Sequence, residues 1–386
     1  MQSRLREIDF IRAVSALAVI AIHTTGPYVY AASIPYYINQ LSRFAVPMFI
    51  IISGLLLWNT SSNYKGIRGY FSFLGKRMKK IYIPYLVWSI IYILYKIRNE
   101  LSSIFNEKGE FLIDTLNKLL YGTAYDHLYF VIIIIQLYLL YIPLRNSLNK
   151  LPGITLTVSF LITLAFQTGI YLQVLQLVKL PPSIIPYYIF FPTWLFYFVF
   201  GMYFAMNRDR WKAKLKAVCK GKGIQPGILQ GIIVATWMVS LLVMVADNRY
   251  TKTFYSSIKP SIMLYSITTF FLLYAAAELF KYREWKVWKI PEWISVQSYN
   301  IYLSHLLVQN LIKDAIQRLG LGRFFNRAVK GMAVLYLVTV LFTCLFAYVV
   351  SYTPVAGILG GSPVSRNKYS KGLESGNVNK SNKINT

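Results

Sequence analysis

The sequence predicts an all-α, polytopic membrane bundle of about ten transmembrane helices, and three observations predict it. Of 386 residues, 56% are hydrophobic and only 14% are charged, where a soluble chain carries about a quarter charged. The apolar runs, such as 131–140 and 332–350, are long and do not alternate with polar residues. In lipid every backbone polar group must be paired within its segment, which leaves helices or closed barrels, and barrel strands would alternate over about 10 residues. Finally, the Lys and Arg residues gather between the runs, at 76–80, 208–222 and 281–289, as they do in cytoplasmic loops facing anionic lipid.

Windows of about 20 apolar residues place the spans in order at 8–30, 36–58, 81–95, 127–143, 154–174, 186–206, 228–246, 257–280, 296–316 and 329–352. The first could pass for a signal peptide, with Arg4 and Arg6 ahead of it and Ala31-Ala32 behind. Arg12 and His23 bracket its apolar stretch and further spans follow, so an uncleaved helix is expected. The third span is the shortest and the fifth the most polar. No internal repeat of the kind that builds many transporters is evident. With the N-terminus inside, about 26 of the 41 basic residues fall on the cytoplasmic side, which predicts N-in, C-in. The chain thus divides into a membrane domain, 1–361, and a polar tail, 362–386, too poor in apolar surface to order itself.

A net charge of +27 invites nucleic acid as a partner, but cations clustered beside spans point to a lipid bilayer instead. The two cysteines, Cys219 and Cys344, lie in a basic loop and a late span and suggest neither a disulfide framework nor a metal site.

Ionisable residues inside spans are expensive and therefore candidates for function. The first span holds Asp9, Arg12 and His23. Eleven steps on an α-helix return to nearly the same angle, so Arg12 and His23 share a face about 16 Å apart along the axis; Asp9, three before Arg12, joins them. A cation near one interface with a titratable imidazole deeper in suits an anionic substrate reacting at a buried base. The bland alternative has Arg12 snorkelling to headgroups and His23 hydrogen-bonded within the bundle. Arg43 is the other arginine within a span. The second span runs through 49–54 to Ser53-Gly54, a pair that permits close backbone approach or places a hydroxyl in a cavity. Lys76, Arg77 and Lys80 precede Pro84; they anchor the span by the positive-inside rule or hold phosphates, Arg77 and Lys80 sharing a helical face. All three histidines, His23, His127 and His305, open or interrupt spans, and their spacing matches no zinc chelate, so no metal is expected.

Taken together these segments resemble the acyltransferase 3 family of integral membrane acyltransferases. The family's Arg, ten residues, then His is met by Arg12 and His23, and its Ser-Gly end to the second span by Ser53 and Gly54. The basic motif before a proline is met by Arg77-Met78-Lys79-Lys80, where Lys80 keeps the charge but not the bidentate fork of a second Arg. A His-Leu-Trp-Phe motif becomes His127-Leu128-Tyr129-Phe130, and a late Tyr-x-x-His is met by Tyr302 and His305, with Leu306 where proline often follows.

The resemblance runs from about residue 6 to about residue 352 and implies an O-acyltransferase of the bacterial cytoplasmic membrane. No cofactor is bound, and the co-substrate is acyl-CoA, most often acetyl-CoA. The acceptor is a hydroxyl of an extracytoplasmic glycan or other exported molecule, as in members that modify exopolysaccharides, and an association with polysaccharide-synthesis machinery is implied too. His23 would act as general base or transient acyl carrier, Arg12, Arg77, Lys80 and Lys76 would hold the donor, and Asp9, Ser53, His127, Tyr129, Tyr302 and His305 would support them. A polysaccharide exporter or flippase without chemistry, and a scaffold subunit packed on a synthase, remain as alternative readings.

Overall fold

A computed structural model of the chain describes residues 5–61, 66–98, 108–211, 213, 226–251, 257–282, 288–325 and 328–363. Among them every regular element is helical, as the apolar runs require. Each predicted span is occupied by helix. α1 is Arg6–Thr25; α2, Ser33–Leu41, and α3, Ala45–Ser61, meet at a 3-10 turn, Ser42–Phe44, and form the second span. α4, Gly66–Ile97, carries Pro84 inside it. α5, Lys108–Tyr121, leaves Leu112, Ile113, Leu116 and Leu120 exposed, the apolar face of a helix lying along an interface. α6, Tyr129–Leu139, and α7, Tyr141–Lys150, are bent 53° from one another. α8 is Pro152–Val174, α9 Leu195–Met206, α10 Pro226–Thr251, α11 Pro260–Tyr282, α12 Lys289–Arg318, α13 Gly322–Phe325 and α14 Ala328–Ser351.

Among the described residues seven spans are long and apolar enough to cross a membrane, or eight when the bent pair α6–α7 is counted as one span. The two remaining predicted spans fall short for opposite reasons. α9 is apolar but only 12 residues long and almost wholly buried. α12 runs for 30 residues, but its buried face is polar, with Gln297, Ser298, Asn300, Ser304, His305 and Gln309 all turned inward. A helix whose polar residues face protein rather than lipid is acceptable in a membrane bundle.

α1 sits at the centre, packed on α12, α3, α11 and α14. Hydroxyls within it return to the helix, Ser15 to the Ile11 carbonyl at 2.8 Å and Thr24 to that of Ile20 at 2.9 Å, so they cost little in an apolar setting. The rim faces lipid: α10 exposes Ile232, Met238, Val239 and Leu242, and α14 exposes Leu337, Leu341, Leu345 and Val349. The predicted tail, 362–386, is described only for Ser362 and Pro363. Ser362 exchanges hydrogen bonds with Gln297, its amide donating to Oε1 at 3.1 Å and its carbonyl accepting from Nε2 at 2.9 Å; residues 364–386 lie outside the described residues.

The closest helix approach is α3 against α9. A Cβ on Gly54 would land on the Phe198 carbonyl, and one on Gly201 on the Ile51 carbonyl. Small residues let two backbones meet in lipid, where no hydrophobic drive joins them. Gly201→Ala should therefore destabilise the purified protein by about 1–3 kcal/mol, read as a lower midpoint of thermal unfolding in detergent. Gly231→Ala on α10, with open space around it, should leave the midpoint unchanged.

Candidate functional site

Two hydrogen bonds clamp α12 along α1, one at each end. Ser295 Oγ donates to Asp9 Oδ1 at 2.6 Å, and Gln309 Nε2 donates to the His23 carbonyl at 3.1 Å. The second has a cause in the sequence: the helical partner of the His23 carbonyl would be the amide of residue 27, and Pro27 has none. Asp9 accepts from Ser295 while its charge also acts on Arg12, and the Arg12 guanidinium has no hydrogen bond or ion pair within 4 Å among the described residues. Arg12 and His23 lie between the clamps, and each opens onto a cavity.

The first cavity, about 440 Å³, is lined by the cations Arg12, Arg77 and Lys80 and by Ser53, Tyr138 and Tyr299. Arg77 also lies over the Phe73 ring at 5.4 Å. Lys76 is exposed and does not line this cavity. One wall is the segment after α14. It folds back so that Leu359 offers its carbonyl to Trp88 Nε1 at 3.2 Å and Asn300 Nδ2 at 2.7 Å, and Gly357, Gly360, Gly361, Ser362 and Pro363 face the space. Gly360 adopts φ +79°, a backbone that glycine tolerates and other residues resist.

The second cavity, about 200 Å³, is lined by Val19, His23, Arg43, Asp126, His127, Tyr129 and Ser257. Tyr302 lines both cavities. Its ring packs on Phe49 and Phe130 with centroids 6.2 and 5.4 Å away, and its hydroxyl donates to the His127 carbonyl. Tyr302 is thus common to the two cavities, and with Phe49 and Phe130, which line the first, it makes an aromatic septum at their boundary.

The three histidines converge beside it. Ring centroids are 5.3 Å apart for His23 and His305, 5.1 Å for His127 and His305 and 6.4 Å for His23 and His127. His305 Nδ1 lies 2.7 Å from the Tyr302 carbonyl, and His127 Nε2 lies 3.3 Å from that of Leu303. A carbonyl only accepts, so these nitrogens carry the protons. In the neutral rings His305 Nε2 and His127 Nδ1 are then the unprotonated nitrogens, and both are buried without a partner among the described residues. The turn that delivers His127 depends on Gly122, at φ +70°, where a Cβ would meet the Tyr129 Cα at 2.7 Å. Among the described residues no group of His, Cys, Asp or Glu is placed to hold a metal ion.

The structure thus brings Arg12, Ser53, Arg77, Lys80 and Tyr302 onto one cavity and His23, His127, Tyr129 and Tyr302 onto the other, with His305 behind them. Sequence reasoning gave no role to the septum rings Phe49 and Phe130, the glycine-rich wall 357–363 or Arg43. Two of these carried a signal, Arg43 as an arginine within a span and Phe130 as the last residue of the His127-Leu128-Tyr129-Phe130 motif.

The family model described as an acyltransferase domain matches residues 5–353. A Bacillus subtilis protein named as a candidate membrane-bound acyltransferase, YfiQ, is 29% identical over 322 residues, covering 78% of this chain and 80% of its own. A Staphylococcus aureus protein named as a candidate poly-beta-1,6-N-acetyl-D-glucosamine export protein is 27% identical over 281 residues, covering 71% of each chain. No solved structure matches.

Two chambers divided by a septum predict one-sided access to each. In a background with Cys219 and Cys344 replaced by Ser, Ser53→Cys should react with a membrane-impermeant thiol reagent only from the Arg12 side. Val46→Cys, on the second chamber, should react only from the other side. Labelling of either position from both sides would reveal a continuous pore.

Proposed function

Because the chain belongs to the acyltransferase 3 family of integral membrane acyltransferases, and so is an acyltransferase, we propose that it transfers an acetyl group from cytoplasmic acetyl-CoA to a hydroxyl of an extracytoplasmic glycan. The single observation that carries this reading is the pair of back-to-back chambers. One is cationic, with Arg12, Arg77 and Lys80, and the other is imidazole-lined, with His23 and His127. An anionic donor and a neutral hydroxyl acceptor call for those two environments, and the septum lets them react without an open leak.

The Arg12 chamber opens toward the cytoplasm in the N-in orientation favoured by the basic loops. CoA phosphates sit against Arg77, whose planar fork takes two oxygens, and Lys80, which acts as a point charge. Arg12, with no ion-pair partner among the described residues, stands deeper, toward the thioester. His23 faces the other chamber and acts as general base on the acceptor hydroxyl. His305 presents its Nε2, without a hydrogen-bond partner among the described residues, within the same histidine cluster. Ser53 and Tyr302 line the path between, Tyr129 lines the acceptor side, and Lys76, off the cavity, serves the membrane interface. The bacterial cytoplasmic membrane, where acetyl-CoA and exported glycan lie on opposite faces, is the setting this chemistry needs.

The name of the S. aureus relatives favours a second reading, glycan export. Export of a polymer requires a continuous polar path, and the apolar rings packed on Tyr302 at the boundary of the two cavities argue against one. Modification of a glycan that another machine exports accommodates both relatives' names.

Membranes incubated with radiolabelled acetyl-CoA should place label in surface glycan. His23→Ala and Arg12→Ala should each cut the turnover number by about 100-fold or more. Arg77→Ala or Lys80→Ala should raise the KM for acetyl-CoA about tenfold, the effect of about 1.4 kcal/mol, with turnover largely kept. Glycan flux without labelling would favour export.

The wall of the first chamber supplies an independent check. A Cβ on Gly357 meets nothing within 4 Å, so a side chain there starts from open space, and Gly357→Leu adds bulk at the wall of the cavity. It should raise the KM for acetyl-CoA and leave thermal stability unchanged.

A further inference from the structure

Arg43 stands in the His23 chamber as a cation that the protein has fixed but not neutralised. Its Nε and Nη2 donate to Asn39 Oδ1 at 3.1 and 2.7 Å, and its carbonyl accepts from Ser257 Oγ at 3.0 Å. Asn39 is fully buried and held in turn: its Nδ2 donates to the Ile22 carbonyl and to Thr25 Oγ1, both at 2.9 Å. Those acceptors flank His23 on α1, so the side chain that aims Arg43 is tied to the helix that carries His23.

The network continues away from the chamber. Gln40 Nε2 reaches Asn39 Oδ1 at 3.2 Å, Asn248 Nδ2 reaches Gln40 Oε1 at 2.9 Å, and Lys259 Nζ reaches Asn248 Oδ1 at 2.7 Å. Lys259, with no solvent exposure, has Asp247 within 3.7 Å as its counter-charge. Arg43 has no carboxylate within ion-pair distance among the described residues, although Asp126 lines the same cavity; its hydrogen-bond partner is a neutral amide. A guanidinium carries five N–H donors, and Asn39 takes two of Arg43's. A low-dielectric site strengthens any charge that then appears beside the others. A cation pinned by a neutral group, with donors to spare and a cavity in front of it, is prepared for an oxygen that gains negative charge.

We propose that Arg43 is a catalytic residue that stabilises the oxyanion of the acyl group during transfer. The inference rests on the reaction proposed above. The acceptor oxygen bonds to the acyl carbon while its proton passes to the unprotonated ring nitrogen of His23. The carbonyl electron pair moves onto oxygen, beside the Arg43 donors. On collapse the carbonyl re-forms, the carbon–sulfur bond breaks, and the proton on His23 goes to the departing thiolate. Acyl-CoA and alcohol become ester and free CoA, with no other reactant. Asn39 is the positioning residue, because it touches Arg43 and α1 rather than the substrate.

The test uses membranes of the full-length protein, measuring CoA thiol release and label transfer to surface glycan from radiolabelled acetyl-CoA. Arg43→Met, of similar length and without charge, should lower kcat by about 100-fold or more, the loss typical of an oxyanion donor. Its KM for acetyl-CoA should stay within about threefold of wild type, a free-energy change of less than about 1 kcal/mol. Arg43→Lys, which restores charge but not the fork, should recover part of the rate. One-sided thiol labelling of Ser53→Cys, retained in an Arg43→Met background, shows the fold intact. A kcat within about threefold of wild type in Arg43→Met, or a rise in KM for donor or glycan with kcat kept, overturns the assignment. Loss of Ser53→Cys labelling together with a fully inactive Arg43→Lys overturns it in favour of a structural role. Absence of transfer by the wild type overturns the proposed reaction itself, and Arg43's part with it, whereas wild-type transfer undiminished in Arg43→Met sinks Arg43's part alone.

Discussion

The seam between α1 and α12 governs the rest of the molecule. Both helices carry groups that lipid would punish, and each covers the other's. Ser295 meets Asp9 at one end, Gln309 meets the carbonyl stranded by Pro27 at the other, and Arg12 and His23 lie between. In a bilayer an unpaired polar group costs several kcal/mol, so α1 and α12 cannot turn these faces outward. The packing order follows. α3 and α9 supply a rigid apolar flank through Gly54 and Gly201, and α10 and α14 complete a rim that presents side chains such as Leu242 and Leu341 to lipid.

The same constraint explains why the chambers are where they are. α12 bears both Tyr302, on the septum, and His305, in the histidine cluster. α1 bears both Arg12 and His23. Two helices clamped at both ends therefore fix four groups in one register, with the septum rings between them. The third contributor, His127, arrives on the turn shaped by Gly122 and is locked by two contacts with α12: its carbonyl accepts from Tyr302, and its Nε2 donates to the Leu303 carbonyl. Preorganisation of this sort holds an imidazole in one tautomer without help from solvent.

Much of this was legible in the sequence, for physical reasons that also mark where legibility ends. Composition and unbroken apolar runs dictate helices in lipid, and all ten predicted spans are helical. The eleven-residue step from Arg12 to His23 puts both on one face because helix geometry is local. The aromatic septum is different in kind: Phe49, Phe130 and Tyr302 come from three distant segments, and an apolar aromatic in an apolar span carries no sign of its partners. Reading 296–316 as one more apolar window takes α12 for an ordinary span, whereas its many polar residues leave it short of that apolarity and face inward instead. The bend between α6 and α7 and the fold-back of 357–363 depend on tertiary contacts such as those of Leu359 with Trp88 and Asn300. Lys76 and Lys80 look alike in a basic run, and only the helix phase puts Lys80 on the cavity.

Arg43 shows how a polar network can divide electrostatic work. Lys259 and Arg43 are both cations near the same end of the bundle, joined by a chain of amides through Asn248, Gln40 and Asn39. One is fully buried and has an acid beside it. The other is left with a neutral partner and faces a cavity. A carboxylate at position 39 would neutralise Arg43, but it could not donate to the Ile22 carbonyl as the Asn39 amide does. The amide serves both neighbours, aiming Arg43 with its oxygen and holding α1 with its nitrogen, and leaves the cation unmatched. What it keeps is a guanidinium oriented by hydrogen bonds whose charge stays available to whatever enters the chamber of His23.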